Sequence, residues 1–209
     1  MGRKSAVIGF KAHTGWANFV AVGGTPASPE IFARGRPALI PQDHSVPRFV
    51  YHEASQNSDA RAREIVRHAE KATRSCAAST ISAIVDELES QGVRITACAL
   101  ITGAAELKSG ISLDEILRAH TLIHAAEGKL YRDAITAACF ERGLDVIAVS
   151  ERDAWGRAAK ACHCAEDALQ KRVAALRSVV GAPWGADEKV VTAAALVAAS
   201  RNGKETVWR

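Results

Sequence analysis

His120, His124, Glu127 and Tyr131 stand at i, i+4, i+7 and i+11 within a stretch, residues 113–140, that holds a single glycine and no proline. At about 3.6 residues per helical turn the four side chains share nearly one face, so two imidazoles, a carboxylate and a phenol project together. Histidines one turn apart can ligate a single divalent ion. Glu127 then either completes a two-histidine, one-carboxylate set or serves as base toward a bound water. The pattern lacks the glutamate that follows the first histidine in the metalloprotease motif. The competing reading is structural, with half-buried histidines that pack and Glu127 paired to Lys129 or Arg132.

A second set of polar residues falls where strands and helices are expected to end. His13, Thr14 and Trp16 sit in a turn around Gly15, and Glu151 and Arg152 follow an apolar run. Trp184, Asp187 and Lys189 lie where a break containing Pro183 and Gly185 opens the last helical stretch. An acid at a helix start, such as Asp187, is held ionised by the helix dipole. Together with the histidine row these residues make up the candidate pocket, in which tryptophan faces stack a ring and the titratable groups take protons or a metal. Cys162, His163 and Cys164 are adjacent, but i, i+2 neighbours on a helix diverge and there is no second cysteine pair at zinc-finger spacing. With no Gly-x-Ser-x-Gly elbow and no phosphate loop, no catalytic nucleophile is assigned. Arg61, Arg63, Arg67, Lys71 and Arg74 give one long stretch a basic side, but Glu64 and Glu70 interleave with them, and a solvated face is the simpler reading.

These groups need elements to position them. Residues 5–11 and 16–22 read as strands, Gly23 to Pro26 as a turn, and 30–38 as a third strand, together an antiparallel meander. Residues 49–52 extend that third strand or lie along the sheet edge. Ser58 is the expected cap of one long helix, or two abutting ones, ending at Gly92. Residues 94–101 are apolar on both faces, as in a buried parallel strand, and 103–110 form a loop. Ser112 with Glu115 forms a capping box that opens the central helix. Gly128 inside that helix costs about 1 kcal/mol relative to alanine and marks a bend or a tight contact. Gly143 stops the helix, residues 144–149 form another buried strand, and helices follow over 152–162, 166–180 and 187–199.

A length of 209 residues fits a single domain spanning 1–209. With 48% hydrophobic and 24% charged residues the chain has the make-up of a soluble globular protein. Net charge of +4 and a pI near 8.9 permit a nucleic-acid or other anionic partner without indicating one. The five cysteines, Cys76, Cys98, Cys139, Cys162 and Cys164, are odd in number and fall mainly in regular elements, which reads as free thiols in a reducing compartment, the cytoplasm by default. The apolar run at 6–10 is too short for a signal peptide, and none approaches the ~20 residues of a membrane span, so no membrane association is expected. Alanine-rich helices allow close packing, within the chain or in a homodimer.

The order β-β-β-α-β-α-β-α resembles that of the ribonuclease H-like superfamily, which includes Holliday-junction resolvases. The fold this implies is α/β: a five-stranded mixed sheet, three strands antiparallel and the last two parallel, flanked by helices. A doubly wound nucleotide-binding sheet is the alternative, but its first strand leads into a helix instead of a hairpin. The stretches from His13 to Trp16, His120 to Arg132, Glu151 to Arg152 and Pro183 to Lys189 also resemble a family of small, uncharacterised bacterial proteins, which brings no activity with it.

The superfamily resemblance implies two-metal phosphodiester hydrolysis by carboxylates on the first strand, after the fourth strand and on the last helix. Two divalent ions about 4 Å apart need several bridging acidic oxygens. Here no acid precedes Glu30, and Phe10 and Lys11 stand where the first carboxylate is expected. Glu106, and Asp187 or Glu188, are the matches for the other positions. The expectation is therefore a cytoplasmic ribonuclease H-like protein without the acidic two-metal centre, binding a small or nucleotide-like ligand in a His/Glu/Trp pocket. Its rivals are a hydrolase that uses one divalent metal ion at His120, His124 and a carboxylate such as Glu127, and a structural homodimer. Whether the chain is an enzyme stays open at this level.

Overall fold

The computed structural model describes residues 4–103, 107 and 109–200. Two ten-residue strands, Lys4–His13 (β1) and Trp16–Thr25 (β2), pair antiparallel across the tight turn at Thr14 and Gly15. Ser28–Gly35 (β3) pairs with β2 and stops three residues short of the expected end. Pro37 has no N–H to continue a ladder, and beyond it Ala38 makes only an isolated bridge to Trp16. Val93–Thr102 (β4) runs parallel to β1, and Val146–Ser150 (β5) parallel to β4, giving the sheet order β3-β2-β1-β4-β5.

Helices cover both faces of this sheet, which is why its central strands are apolar on both sides. Successive strand residues point to opposite faces. Ile8, Phe10 and Phe19 face one layer, made of Val50–Ser55 (α1), Asp59–Ser90 (α2), Leu113–Arg118 (α3) and His120–Glu141 (α4). Val7, Val20, Ile101 and Val149 face the other, made of Ala154–Ala161 (α5), Glu166–Ala175 (α6), Arg177–Val180 (α7) and Ala186–Ala199 (α8). No described helix is long and apolar enough to cross a membrane.

Three elements depart from the sequence reading. Residues 49–52 belong to no strand: Val50 and Tyr51 are buried in the short helix α1, packed under α4. The central helix is two helices, because Ala119 is extended (φ −126°, ψ 113°) and turns α3 back so that Ile116 packs into the core, with no proline or glycine to signal it. The 166–180 helix likewise breaks at Leu176. The capping box at Ser112 forms, with Glu115 N–H donating to Ser112 Oγ at 3.3 Å and Ser112 N–H to Glu115 Oε2 at 2.9 Å. Ser58 precedes α2 as expected but makes no side-chain cap bond.

The helix that matters most for the site is α8. It lies directly on β1, and its backbone approaches so closely that a Cβ at Gly9 would sit 2.5 Å from the carbonyl oxygen of Val191. Only glycine allows that approach. Arg34 on β3 donates to the carbonyls of Val180 (2.8 Å), Ala182 (3.1 Å) and Pro183, holding the segment that leads into α8.

Candidate functional site

The end of β1 carries a continuous string of polar side chains on the α8 side. Lys11 and His13 share that face, and the β1–β2 register sets Asn18 opposite Lys11 and Trp16 opposite His13. Nζ of Lys11 donates to Oε1 of Glu151 at 2.6 Å and to Oδ1 of Asp187 at 2.9 Å. Glu151 follows β5 directly, its N–H bound to the Thr102 carbonyl at 3.0 Å, and Asp187 sits in the first turn of α8. Nε2 of His13 lies 2.8 Å from Oδ2 of Asp187, an ion-pair distance off the line of a hydrogen bond. The His13 ring stacks on Trp16 with centroids 4.1 Å apart and planes 8° from parallel. The Arg36 guanidinium lies 5.3 Å from the Trp16 ring centre, within cation–π range. Arg36 also reaches Glu188 at 3.2 Å. That buried acid accepts the Gly185 N–H at 2.9 Å and the Asn18 amide at 3.4 Å.

Charge in this string is balanced internally. Burial alone disfavours the Lys11 ammonium, but the hydrogen bonds and charges of Glu151 and Asp187 outweigh it and hold its pKa above the ordinary lysine value. Burial pushes the Asp187 carboxyl up, and the Lys11 hydrogen bond and charge, then the charge of His13, overcome it and hold it below the usual carboxylate range. Glu188 is also held low: burial raises it, and backbone N–H groups together with Arg36 and Asn18 more than offset that. An ammonium stands between the two carboxylates, and β1 carries no acid. Glu106, the expected acid after the fourth strand, lies outside the described residues.

The histidine row sits on the opposite face of the sheet, and it splits. Glu127 and Tyr131 point into the core, whereas His120 and His124 are exposed. Oε1 of Glu127 accepts the N–H groups of Tyr51 (2.8 Å) and His52 (3.3 Å) at the start of α1, and lies 3.4 Å from Nδ1 of His52. It pairs with neither Lys129, which binds Asp133, nor the expected Arg132. Tyr131 donates its hydroxyl to the Arg48 carbonyl at 2.8 Å, and burial, then the charge of Glu127, pushes that phenol far above its ordinary pKa. Arg48 in turn donates to the Thr14 carbonyl at 3.2 Å. The rings of His52, His120 and His124 meet edge-to-face.

The expected single pocket is therefore two sites. His13, Trp16, Glu151 and Asp187 come together at the sheet end. His120 and His124 come together elsewhere, with His52 in the place expected for Glu127. Thr14 and Tyr131 meet only through Arg48. Trp184 is buried: its indole N–H donates to the Val173 carbonyl at 2.8 Å, and it anchors the start of α8 on α6. Arg152 is exposed beside Asp153, and Lys189 is half-buried in the first turn of α8. Lys11, Arg36 and His52 were not anticipated as site residues, whereas Glu188 was named only as an alternative to Asp187 for the acid on the last helix. For Lys11 the sequence signal was present, a lysine standing where an acid was expected. The basic side of α2 lines a cavity of about 670 Å³ beneath α4, where Arg67, Lys71 and Arg74 meet Lys129 but also Glu70 and Asp133.

A 3-2-1-4-5 mixed sheet with its antiparallel hairpin first and helices on both faces is the ribonuclease H-like fold. Among solved structures the chain is similar to Thermus thermophilus RuvC, at 15% identity over 93% of each chain with a TM-score of 0.52. It is similar also to T. thermophilus RuvC in complex with Holliday junction substrate, at 15% identity over 94% of this chain and 93% of that one, TM-score 0.51. At that identity the likeness is one of fold. No family model matches the sequence, and no curated protein does.

Proposed function

We propose that this chain is a ribonuclease H-like protein that binds a nucleotide-like ligand at the Lys11–His13–Asp187 end of its sheet and does not cut phosphodiesters by the two-metal route. The observation that carries the reading is Lys11, whose ammonium bridges Glu151 and Asp187 at 2.6 and 2.9 Å. A lysine there supplies permanently the positive charge that divalent ions would supply to clustered carboxylates. Parallel strands ending side by side are where open α/β sheets take their ligands. The stacked His13–Trp16 pair, with Arg36 beside it, offers a ring face and a cation that suit a base and its phosphate. A binding role for RuvC-like folds is consistent with the Holliday junction seen on T. thermophilus RuvC. The histidine cluster on the other face takes no part in this reading.

The test has two arms. Labelled four-way DNA junctions and single strands incubated with the protein and magnesium or manganese are expected to remain uncut. Adenosine monophosphate, followed by calorimetry, is expected to bind wild type and to bind Trp16→Ala about 5- to 150-fold more weakly, in keeping with ~1–3 kcal/mol per stacked base. Cleavage that disappears in Asp187→Asn would overturn the non-nuclease reading. Absence of nucleotide binding would overturn the ligand.

A further inference from the structure

On the face of the sheet away from that site, we propose that His52, His120 and His124 bind one transition-metal ion of the zinc(II) class, with an open fourth position, and that Glu127 orients the site from behind. Among the described residues these three histidines are the group whose ligand atoms lie within 4.8 Å of one another. His120 opens α4, His124 follows one turn later, and His52 is delivered from α1. Ring centroids are 4.4 Å apart for His120–His124, 4.9 Å for His52–His124 and 5.5 Å for His52–His120. Their planes stand 87°, 64° and 82° to each other. Three imidazoles from two elements, each with a ligand atom within 4.8 Å of the others, supply the nitrogens a tripod of ligands requires. Zinc–nitrogen bonds of about 2.0–2.1 Å at tetrahedral angles put the nitrogens about 3.3 Å apart. The nitrogens, within 4.8 Å of one another, would have to draw in by at most about 1.5 Å to reach that spacing.

The surroundings of His52 match what a metal ligand needs. Oε1 of Glu127 lies 3.4 Å from Nδ1, a position that favours a proton on Nδ1 and leaves Nε2 as the ligand. Glu127 is itself fixed by the two α1 N–H groups it accepts, and its Oε2 is buried with no hydrogen-bond partner. A buried carboxylate with an unused oxygen is costly unless a cation or donor stands nearby, and a metal on His52 makes Nδ1–H a stronger donor toward it. Phe49, 53% exposed, lies with its ring nearly perpendicular to that of His52 at 5.8 Å and sets an apolar ring beside the cluster. All three ligands are imidazoles, which suits zinc, copper, nickel or iron(II), and of these zinc takes three nitrogens plus a water with no geometric demand from its d electrons. Because the ligands come from α1 and α4, the ion would also pin α1 to α4 and raise the unfolding temperature of the whole chain.

Untagged full-length protein, titrated with zinc(II) against a chromophoric chelator and separately with cobalt(II), tests this. Wild type is expected to bind a single ion. Its cobalt form should show tetrahedral visible bands without a thiolate charge-transfer band, and its melting temperature should rise with added zinc. His120→Ala and His124→Ala, both exposed and therefore safe for folding, are expected to lose the ion and the thermal shift. Cys162→Ser with Cys164→Ser is expected to keep both. Glu127→Gln, with its fold checked by circular dichroism, is expected to bind zinc about 10–100-fold more weakly. Wild type that binds no more zinc than His120→Ala, or a cobalt spectrum carrying a thiolate band that leaves with Cys162, overturns the site. Undiminished zinc affinity in a folded Glu127→Gln protein overturns the role of Glu127.

Discussion

Replacing Lys11 by methionine keeps the aliphatic stem and removes the ammonium that joins Glu151 to Asp187. The cost is set by how wet each arm is. Lys11 and Asp187 are 17% and 25% exposed, so the 2.9 Å bond between them behaves as a charge-assisted hydrogen bond in a partly dry setting, worth about 1.5–2 kcal/mol. Glu151 is 49% exposed, and its arm contributes about 0.5 kcal/mol after solvent screening. Loss of both comes to about 2–2.5 kcal/mol. For a chain of this length each kcal/mol moves the melting temperature by about 2–4 °C, so Lys11→Met should melt roughly 4–10 °C lower at neutral pH. Asp187→Asn should lose more than Glu151→Gln. The Lys11→Met, Asp187→Asn double variant should fall well short of the summed single losses, because both act on one contact.

Asp187 has a lowered pKa, so its contribution is full above the unfolded value of about 3.9 and is lost as pH falls through its lower folded value. Lys11 has a raised pKa, so its contribution is full below about 10.4 and is lost as pH rises through its higher folded value. The gap between wild type and Lys11→Met should be flat from about pH 5 to 9 and close beyond both ends. Thermal melts followed by circular dichroism across that range measure it. A melting shift under 1 °C, about half the least that ~1 kcal/mol would produce, or a gap that does not narrow as pH falls below the ordinary carboxylate range, would refute the assignment of Lys11 as the counter-charge.

Other substitutions probe the scaffold. Gly9→Ala forces a Cβ to within 2.5 Å of the Val191 carbonyl oxygen and 2.8 Å of its Cγ1, and since backbone cannot step aside as a side chain can, a loss of about 2–3 kcal/mol is expected in denaturant melts. Tyr131→Phe leaves the Arg48 carbonyl without its 2.8 Å donor and should cost about 1 kcal/mol by the same measurement. Thiol titration of the native protein with a chromogenic disulfide should label Cys76, Cys162 and Cys164 and spare Cys98 and Cys139 until denaturant is added. Both spared thiols are buried, and the hydrogen bond with Cys139, then burial, pushes the Cys98 thiol well up.

Much of the fold could be read because it rests on local signals. The Gly15 turn between two β-rich runs, the apolar runs that became β4 and β5, and the Ser112–Glu115 cap each carry their structure within a few residues. The breaks at Ala119 and Leu176 could not be read, since nothing local disfavours helix there and tertiary packing decides it. At the site, the row from His120 to Tyr131 was visible as spacing. Spacing says which residues share a face but not how wide that face is: the row straddles the boundary between core and solvent, so Glu127 went inward to accept N–H groups of α1 and Tyr131 to donate to the Arg48 carbonyl. His52 carried no signal at all, because its neighbours are set by how α1 docks under α4. Lys11 was legible only as a missing acid. That its ammonium would bridge two carboxylates 140 and 176 positions away is a property of the closed sheet and of α8 lying on Gly9.

The most direct measurement is manganese(II) binding by electron paramagnetic resonance, made in a His120→Ala, His124→Ala background so that only the carboxylate end of the sheet reports. With Lys11 between Glu151 and Asp187, the expected result is a free-ion signal that titrates as it does in buffer alone. A stoichiometric loss of that signal in the presence of Lys11, restored by Asp187→Asn, would contradict the assignment and return the sheet end to divalent-metal chemistry.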